Sequence, residues 1–157
     1  MRALAVAILC YAAPAGAVTC ADVEYAGNSY TTCEVDVAAE DLRLFLRDEG
    51  GDILGSFAAV DDFVAGKSLT FAMNAGMYHD DRAPVGHYVE NGVEEMRVVP
   101  NAGPGNFGLL PNGVFCIKDR SAQVYETLDF LARAPVCRDA TQSGPMLVIA
   151  GALHPRF

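Results

Sequence analysis

The chemistry-bearing residues crowd into one stretch, Thr70 to Asn91, which reads TFAMNAGMYHDDRAPVGHYVEN. Asn74-Ala75-Gly76 opens it. A tyrosine, a histidine, two aspartates and an arginine then fall within the five residues Tyr78 to Arg82, and Pro84 and Gly86 close it. Loops held between flanking elements are where binding and catalysis concentrate. Asp80 and Asp81 are adjacent carboxylates. One can activate water or stabilise a developing cation while the other donates a proton, and Arg82 can drive their protonation apart. The alternative is a solvated acidic turn. His79 is a candidate general base.

Two further groups carry polar chemistry. The loop Asn101 to Gly108, NAGPGNFG, contains Gly105 and Asn106. Glycine-rich loops of this kind can cradle an anion with backbone N–H groups. It lacks the Lys-Ser/Thr ending of a P-loop and the following helix of a dinucleotide fingerprint, so an ordinary loop is the alternative. Gln142-Ser143-Gly144-Pro145 carries an amide able to donate and accept hydrogen bonds, as sugar hydroxyls require. Ser143 is not in a G-x-S-x-G elbow, and turn formation accounts equally for Gly144 and Pro145.

The elements that must position these loops read mostly as strands. Ser29 to Val37 and Asp41 to Arg47 alternate as half-buried antiparallel strands. Val60 to Ala65 reads as one or two helical turns ended by Gly66. Leu69 to Met73 is a continuous apolar run, expected as a central strand. Asn91-Gly92 predicts a type I′ hairpin. Asn112-Gly113 turns into a strand at Val114 to Lys118. Tyr125 to Arg133 predicts a helix with Tyr125, Leu128 and Leu131 on one face, stopped by Pro135. Met146 to Ile149 reads as a last apolar strand. The expected fold is α+β, a mixed, mainly antiparallel sheet with few short helices.

Composition bounds the setting. Arg2, the apolar run Ala3 to Ala13 and Ala15-Gly16-Ala17 have the form of a signal peptide, with cleavage expected after Ala17. Removing residues 1–17 from 157 leaves 140, the size of a single domain at 18–157. The formal charge goes from −9 to −10 as Arg2 is lost. An acidic surface disfavours nucleic acid and anionic lipid. No later segment is apolar over a span long enough for membrane insertion. Export to the periplasm or the extracellular space is expected.

Four cysteines remain after Cys10 leaves with the signal: Cys20, Cys33, Cys116 and Cys137. An even number in an exported chain predicts disulfides, with three possible pairings. Cys20–Cys33 and Cys116–Cys137 close the shortest loops and are favoured. No two cysteines sit at C-x-x-C spacing and no two histidines at i, i+4, so neither a metal nor a cofactor is expected.

Taken in order, N-A-G-M-Y (74–78), P-V-G (84–86), G-N-F (105–107), N-G-V-F (112–115) and Q-S-G-P-M-L (142–147) resemble the phosphodiester glycosidase family. That family includes the enzyme removing N-acetylglucosamine from a glycan phosphodiester. The resemblance covers Asn74 to Phe157 well and the N-terminal strands loosely. It implies hydrolysis of a sugar C1–O–phosphate bond in a carbohydrate or glycan phosphodiester substrate. By that resemblance Asp81 or Asp80 acts as base or charge stabiliser. Asn74, Asn106 and Gln142 hold sugar hydroxyls or phosphate oxygens, and Arg82 with the Gly103 to Gly108 N–H groups holds the anion. Gly76, Gly86, Ser143 and Gly144 belong to the same substrate-binding motifs. The departures are His87, where an apolar residue is expected, and Ala150, where Asp-Gly would suit a hairpin better. The family pattern also continues past Phe157, so the chain is expected to be the front part of a larger domain. A non-catalytic exported carbohydrate-binding or cell-envelope module is the competing expectation.

Overall fold

The computed structural model describes residues 18–66 and 69–155. The expected signal peptide, 1–17, lies outside the described residues, as do Arg156 and Phe157. The chain divides into two compact units, one reaching Glu40 and the other starting at Asp41.

The first unit is a hairpin. Strands β1 (Thr19–Tyr25) and β2 (Asn28–Glu34) pair antiparallel across a turn at Ala26-Gly27. Both turn residues take positive φ, 49° and 78°, as a type I′ turn requires. Cys20 and Cys33 face each other in the register and form a disulfide with Cα atoms 4.1 Å apart. The Asp36 carboxylate then accepts from the Ala38 N–H, closing an Asx turn.

The second unit is built on a five-stranded sheet, antiparallel in every pair. Its strands are β3 (Tyr88–Glu90), β4 (Val93–Met96), β5 (Gly113–Lys118), β6 (Ser121–Glu126) and β7 (Asp139–Ser143), in the order β4-β3-β7-β5-β6. With helices α1 (Phe57–Phe63) and α2 (Thr127–Arg133), this is an α+β architecture. The β3–β4 hairpin turns on Asn91 and Gly92, at φ 51° and 79°. Both faces of the sheet are covered. Val114 and Cys116 of β5 join Val89, Ala140, Tyr125, Phe130 and Cys137 on one side. Ile117 joins Tyr88, Leu44 and Leu46 on the other. The Cys116–Cys137 disulfide ties β5 to the segment entering β7. Both disulfides have the favoured pairing and fit a protein exported to an oxidising compartment.

Several expected elements take another form. Asp41 to Arg47 keeps its alternation, with Leu44 and Leu46 buried, but only Arg47 forms a bridge, to Ile53. The Glu90 carboxylate accepts the Leu46 N–H, so a side chain stands where a strand partner would. Leu69 to Met73 is not a central strand: it forms no ladder, and Met73 is 71% exposed. An apolar run alone does not distinguish a buried strand from an extended surface segment. The central position belongs to β7, whose sequence, DATQS, is polar.

Helix α2 starts later than expected, because Tyr125 is the inward residue of β6 and Glu126 is the N-cap, accepting from the Leu128 and Asp129 N–H groups. The buried residues are therefore Thr127 and Phe130, while Leu128 and Leu131 face outward. The Met146 to Ile149 run is a strand only at β8 (Val148–Ile149), paired with β9 (Ala152–Leu153) across Ala150-Gly151. Ala150 occupies the left-handed region at φ 50°, a conformation that favours glycine, asparagine or aspartate. His87 is buried against the Phe130 ring, centroids 5.3 Å apart, with Nδ1 2.9 Å from the Met96 carbonyl.

Candidate functional site

The Asn74–Gly86 stretch is a tight hairpin loop. Tyr78 bridges Pro84, the Val85 N–H donates to the Met77 carbonyl (3.0 Å), and the His79 N–H to the Ala83 carbonyl (2.9 Å). The tip turns at His79–Arg82, where the Arg82 N–H donates to the His79 carbonyl and Arg82 adopts φ 70°. Asp81 Oδ1 accepts from the Ala83 N–H at 3.0 Å, an Asx turn. The Arg82 guanidinium lies 4.8 Å from the Tyr78 ring centroid, a cation–π contact.

Glycine lets the base of this loop dock on the sheet. A Cβ on Gly76 would meet Thr141 Oγ1 at 2.7 Å; one on Gly86 would meet the Phe107 ring at 2.6 Å and the Gln142 Cβ at 3.0 Å. The glycine-rich loop folds on itself just as closely. Gly103 donates to the Gly108 carbonyl (3.3 Å), and a Cβ on Gly108 would sit 2.1 Å from the Gly103 oxygen.

Between these two loops lies a cleft of about 440 Å³. Asn74, Gly76 and Tyr78 line it from one side, Gly105, Asn106 and Phe107 from the other, over apolar contributions from Met77, Val85 and Pro104. Neither the Asn74 nor the Asn106 amide makes a hydrogen bond within the described residues. Both are exposed and able to donate and accept. The cleft therefore offers two amides and a tyrosine. Among the described residues no carboxylate lines it.

Four of the sequence-derived candidates thus come together: Asn74, Gly76, Gly105 and Asn106. His79, Asp80, Asp81 and Arg82 sit at the exposed hairpin tip, outside the lining. Gly86 supports the cleft by admitting Phe107. Gly144 supports it from behind, since a Cβ there would meet the Asn112 Cβ at 2.7 Å. Ser143 is half-buried at the end of β7, opposite Gly113.

Gln142 does not face the cleft. It is 1% exposed, and its amide is engaged internally. Oε1 accepts from the His87 and Val99 N–H groups, each at 3.0 Å. Nε2 approaches the Val99 carbonyl at 2.8 Å, Thr127 Oγ1 at 3.1 Å and Asn112 Oδ1 at 3.3 Å. Thr127 Oγ1 lies 2.6 Å from Asn112 Oδ1, and Asn112 Nδ2 donates to the Phe107 carbonyl at 3.3 Å. This buried chain joins the residue entering β3, β7, α2 and the segment leading into the glycine-rich loop, and it ends on the cleft wall. Tyr78, Phe107 and Asn112 stand within the sequence motifs but have no role of their own there, and Thr127 lies outside them; the structure places Tyr78 and Phe107 in the cleft lining and Asn112 and Thr127 in the network behind it. The turn reading of Asn112-Gly113 hid a side chain that is fully buried.

A second concave surface, about 570 Å³, lies between Phe45, Phe63 and the β3–β4 hairpin. Two of its cations are engaged: Arg47 pairs with Glu95 at 3.3 Å, and Arg43 donates to Asn91 Oδ1 at 2.9 Å. Glu90 accepts from the Leu46 N–H and the Tyr88 hydroxyl. Burial holds the Glu90 carboxyl above its ordinary value of 4.5, outweighing those two hydrogen bonds. Burial likewise drives the Tyr88 hydroxyl far above its ordinary value, so it stays a donor. These contacts fasten the Leu42–Ile53 segment to the sheet. Among the described residues no three His, Cys, Asp or Glu side chains gather as metal ligands, and no helix is long and apolar enough to cross a membrane.

The chain is similar to uncharacterized protein YigE of Escherichia coli strain K12, with 31% identity over 124 residues. That alignment takes in 78% of this chain and 48% of the relative, so the chain spans about half the length of the curated protein it matches. No family profile matches the chain, and no solved structure matches it.

Proposed function

We propose that this chain belongs to the phosphodiester glycosidases and is exported to the periplasm or beyond. In this reading it holds a sugar 1-phosphodiester between the Asn74 and Asn106 loops for hydrolysis of the C1–O–phosphate bond. The observation that carries the reading is the convergence of two distant loops, each bearing an amide with no hydrogen bond among the described residues, beside an aromatic ring. Amides pair with vicinal hydroxyls or with phosphate oxygens, and a tyrosine face suits the apolar side of a pyranose. Phosphate is a good leaving group, so little protonation of the leaving oxygen is needed. What remains is holding the anion, stabilising a cationic sugar and placing water. The carboxylates for that work are Asp80 and Asp81, two and three residues along the hairpin from Tyr78. The acidic net charge opposes an anionic ligand, so the local N–H donors and Arg82 must outweigh the global field.

Release of free sugar from a synthetic sugar 1-phosphodiester tests this. Turnover is expected, with Asp81→Asn lowering it by roughly 10²-fold or more, the scale of a lost general base. Full turnover in Asp81→Asn removes that residue's assignment. A second reading, carbohydrate binding without catalysis, is favoured by the absence of carboxylates from the cleft lining. Saturable sugar binding with no sugar release establishes it; silence in both assays removes both readings.

A further inference from the structure

We infer that the outer edge of β6 is a self-association surface, on which a second copy of this chain lays its own β6 antiparallel about a twofold axis. β6 pairs with β5 over six consecutive residues without a bulge, and no strand among the described residues pairs with its other side. Sheet edges are usually blunted by charge, proline, bulges or cover. The opposite edge, β4, has such protection: it carries Glu94 and Glu95, its register with β3 is irregular, and Arg47 lies across it. From Ser121 to Tyr125, β6 has no charge, proline or glycine, and Val124 is 54% exposed.

The strand's ends specify the occupant. A twofold axis normal to the sheet keeps each side chain on its own face, so facing residues must have the same parity. Centring the axis on Gln123 sets Gln123 opposite its own copy and Ala122 opposite Val124. The same register brings the Arg120 end of each strand beside Glu126 of the other. Arg120 has no ion pair among the described residues. Glu126 caps α2 through Oε2, leaving Oε1 for the guanidinium. Centring on Val124 instead would oppose Ala122 to Glu126 and lose both charge pairs. The edge is thus complementary to itself in one register, despite a net charge of −9.

Sedimentation velocity of the full protein across a concentration series tests this. A dimer is expected, weakened by about tenfold in both Val124→Lys and Arg120→Glu, because each change enters the interface twice. Circular dichroism of the dilute variants should match the parent. Facing Cα atoms in such a ladder lie about 4.5–5.5 Å apart, within disulfide range, so Gln123→Cys should crosslink into a dimer on oxidation. A parent that stays monomeric at the highest concentration overturns the inference. So does a dimer indifferent to both substitutions, or a monomer that captures an extended foreign peptide along β6.

Discussion

Replacing Gln142 with leucine removes the amide that joins the sheet to the cleft wall while nearly preserving side-chain volume. Oε1 is the acceptor for the His87 and Val99 N–H groups, and Nε2 is the donor to the Val99 carbonyl. A buried polar group left without a partner costs about 1–3 kcal/mol. His87 is 5% exposed, so its N–H is largely shielded from water. Val99 is half-buried, so its two groups are partly rescued. The leucine recovers some apolar transfer energy. The net loss is therefore about 2–4 kcal/mol, against roughly 5–15 kcal/mol for a whole domain. With a urea slope of about 2 kcal/mol/M, the unfolding midpoint should fall by about 1–2 M. Sugar affinity should fall with it, because Asn112 and Phe107 lose the anchor behind the cleft. Gln142→Glu separates the two halves of the amide. It keeps the acceptor but sets an oxygen against the Val99 carbonyl, so the carboxyl must hold a proton to fit. Its folded pKa is thereby raised, and its stability should be nearest to the parent below the unfolded carboxyl value and fall as pH rises. A Gln142→Leu midpoint within about 0.3 M of the parent would refute the assigned energetics.

Other perturbations have equally definite outcomes. Gly86→Ala drives a methyl into Phe107, which is 8% exposed and closely packed. A loss of about 1–3 kcal/mol and weaker sugar binding are expected by thermal unfolding and calorimetry, and an unchanged Tm contradicts the close approach. Glu90 has a raised folded pKa, so its contribution is complete below 4.5 and is lost as pH rises through the folded value. Glu90→Gln should therefore gain stability relative to the parent between about pH 4 and 8, and a pH-independent difference contradicts that sign. Replacing Cys116 and Cys137 together by alanine opens a bridge spanning 21 residues. It should cost about 3 kcal/mol on the loop-entropy account, measured by denaturant unfolding. Intact mass of the exported protein should correspond to a chain beginning at Val18, and a retained Met1 contradicts the signal peptide.

The residues show why part of this architecture was readable in advance. Asn91-Gly92 permits a hairpin because both positions accept positive φ, and the continuous apolar run Val114 to Ile117 of β5 suits a strand covered on two faces. The cysteine pairs follow from short loops, and the structure closes both. The central strand was hidden because β7 is polar. Asp139 accepts the Asn91 N–H, Thr141 contacts the Ala75 carbonyl and Gln142 gathers its network. A strand that holds loops through side-chain hydrogen bonds reads locally as a loop. Leu69 to Met73 misled in the opposite sense, being apolar yet largely exposed. In the candidate site, Asn74 and Asn106 were indicated by the family resemblance rather than by spacing or composition. The displacement of Asp80 and Asp81 to a hairpin tip was not, because it depends on the Tyr78–Pro84 bridge and the Asp81 Asx turn. The inward turn of Gln142 likewise depends on partners as far as 55 residues away.

The most direct test of the account is an amide NMR titration of the protein with a sugar 1-phosphate, repeated in Asn106→Ala. Saturable shifts should appear at Asn74, Gly76, Gly105 and Asn106, sparing the Phe45–Phe63 surface, and affinity should fall by roughly tenfold in the variant, about one hydrogen bond. Shifts clustered elsewhere, or none at millimolar ligand, would contradict a ligand site between these two loops.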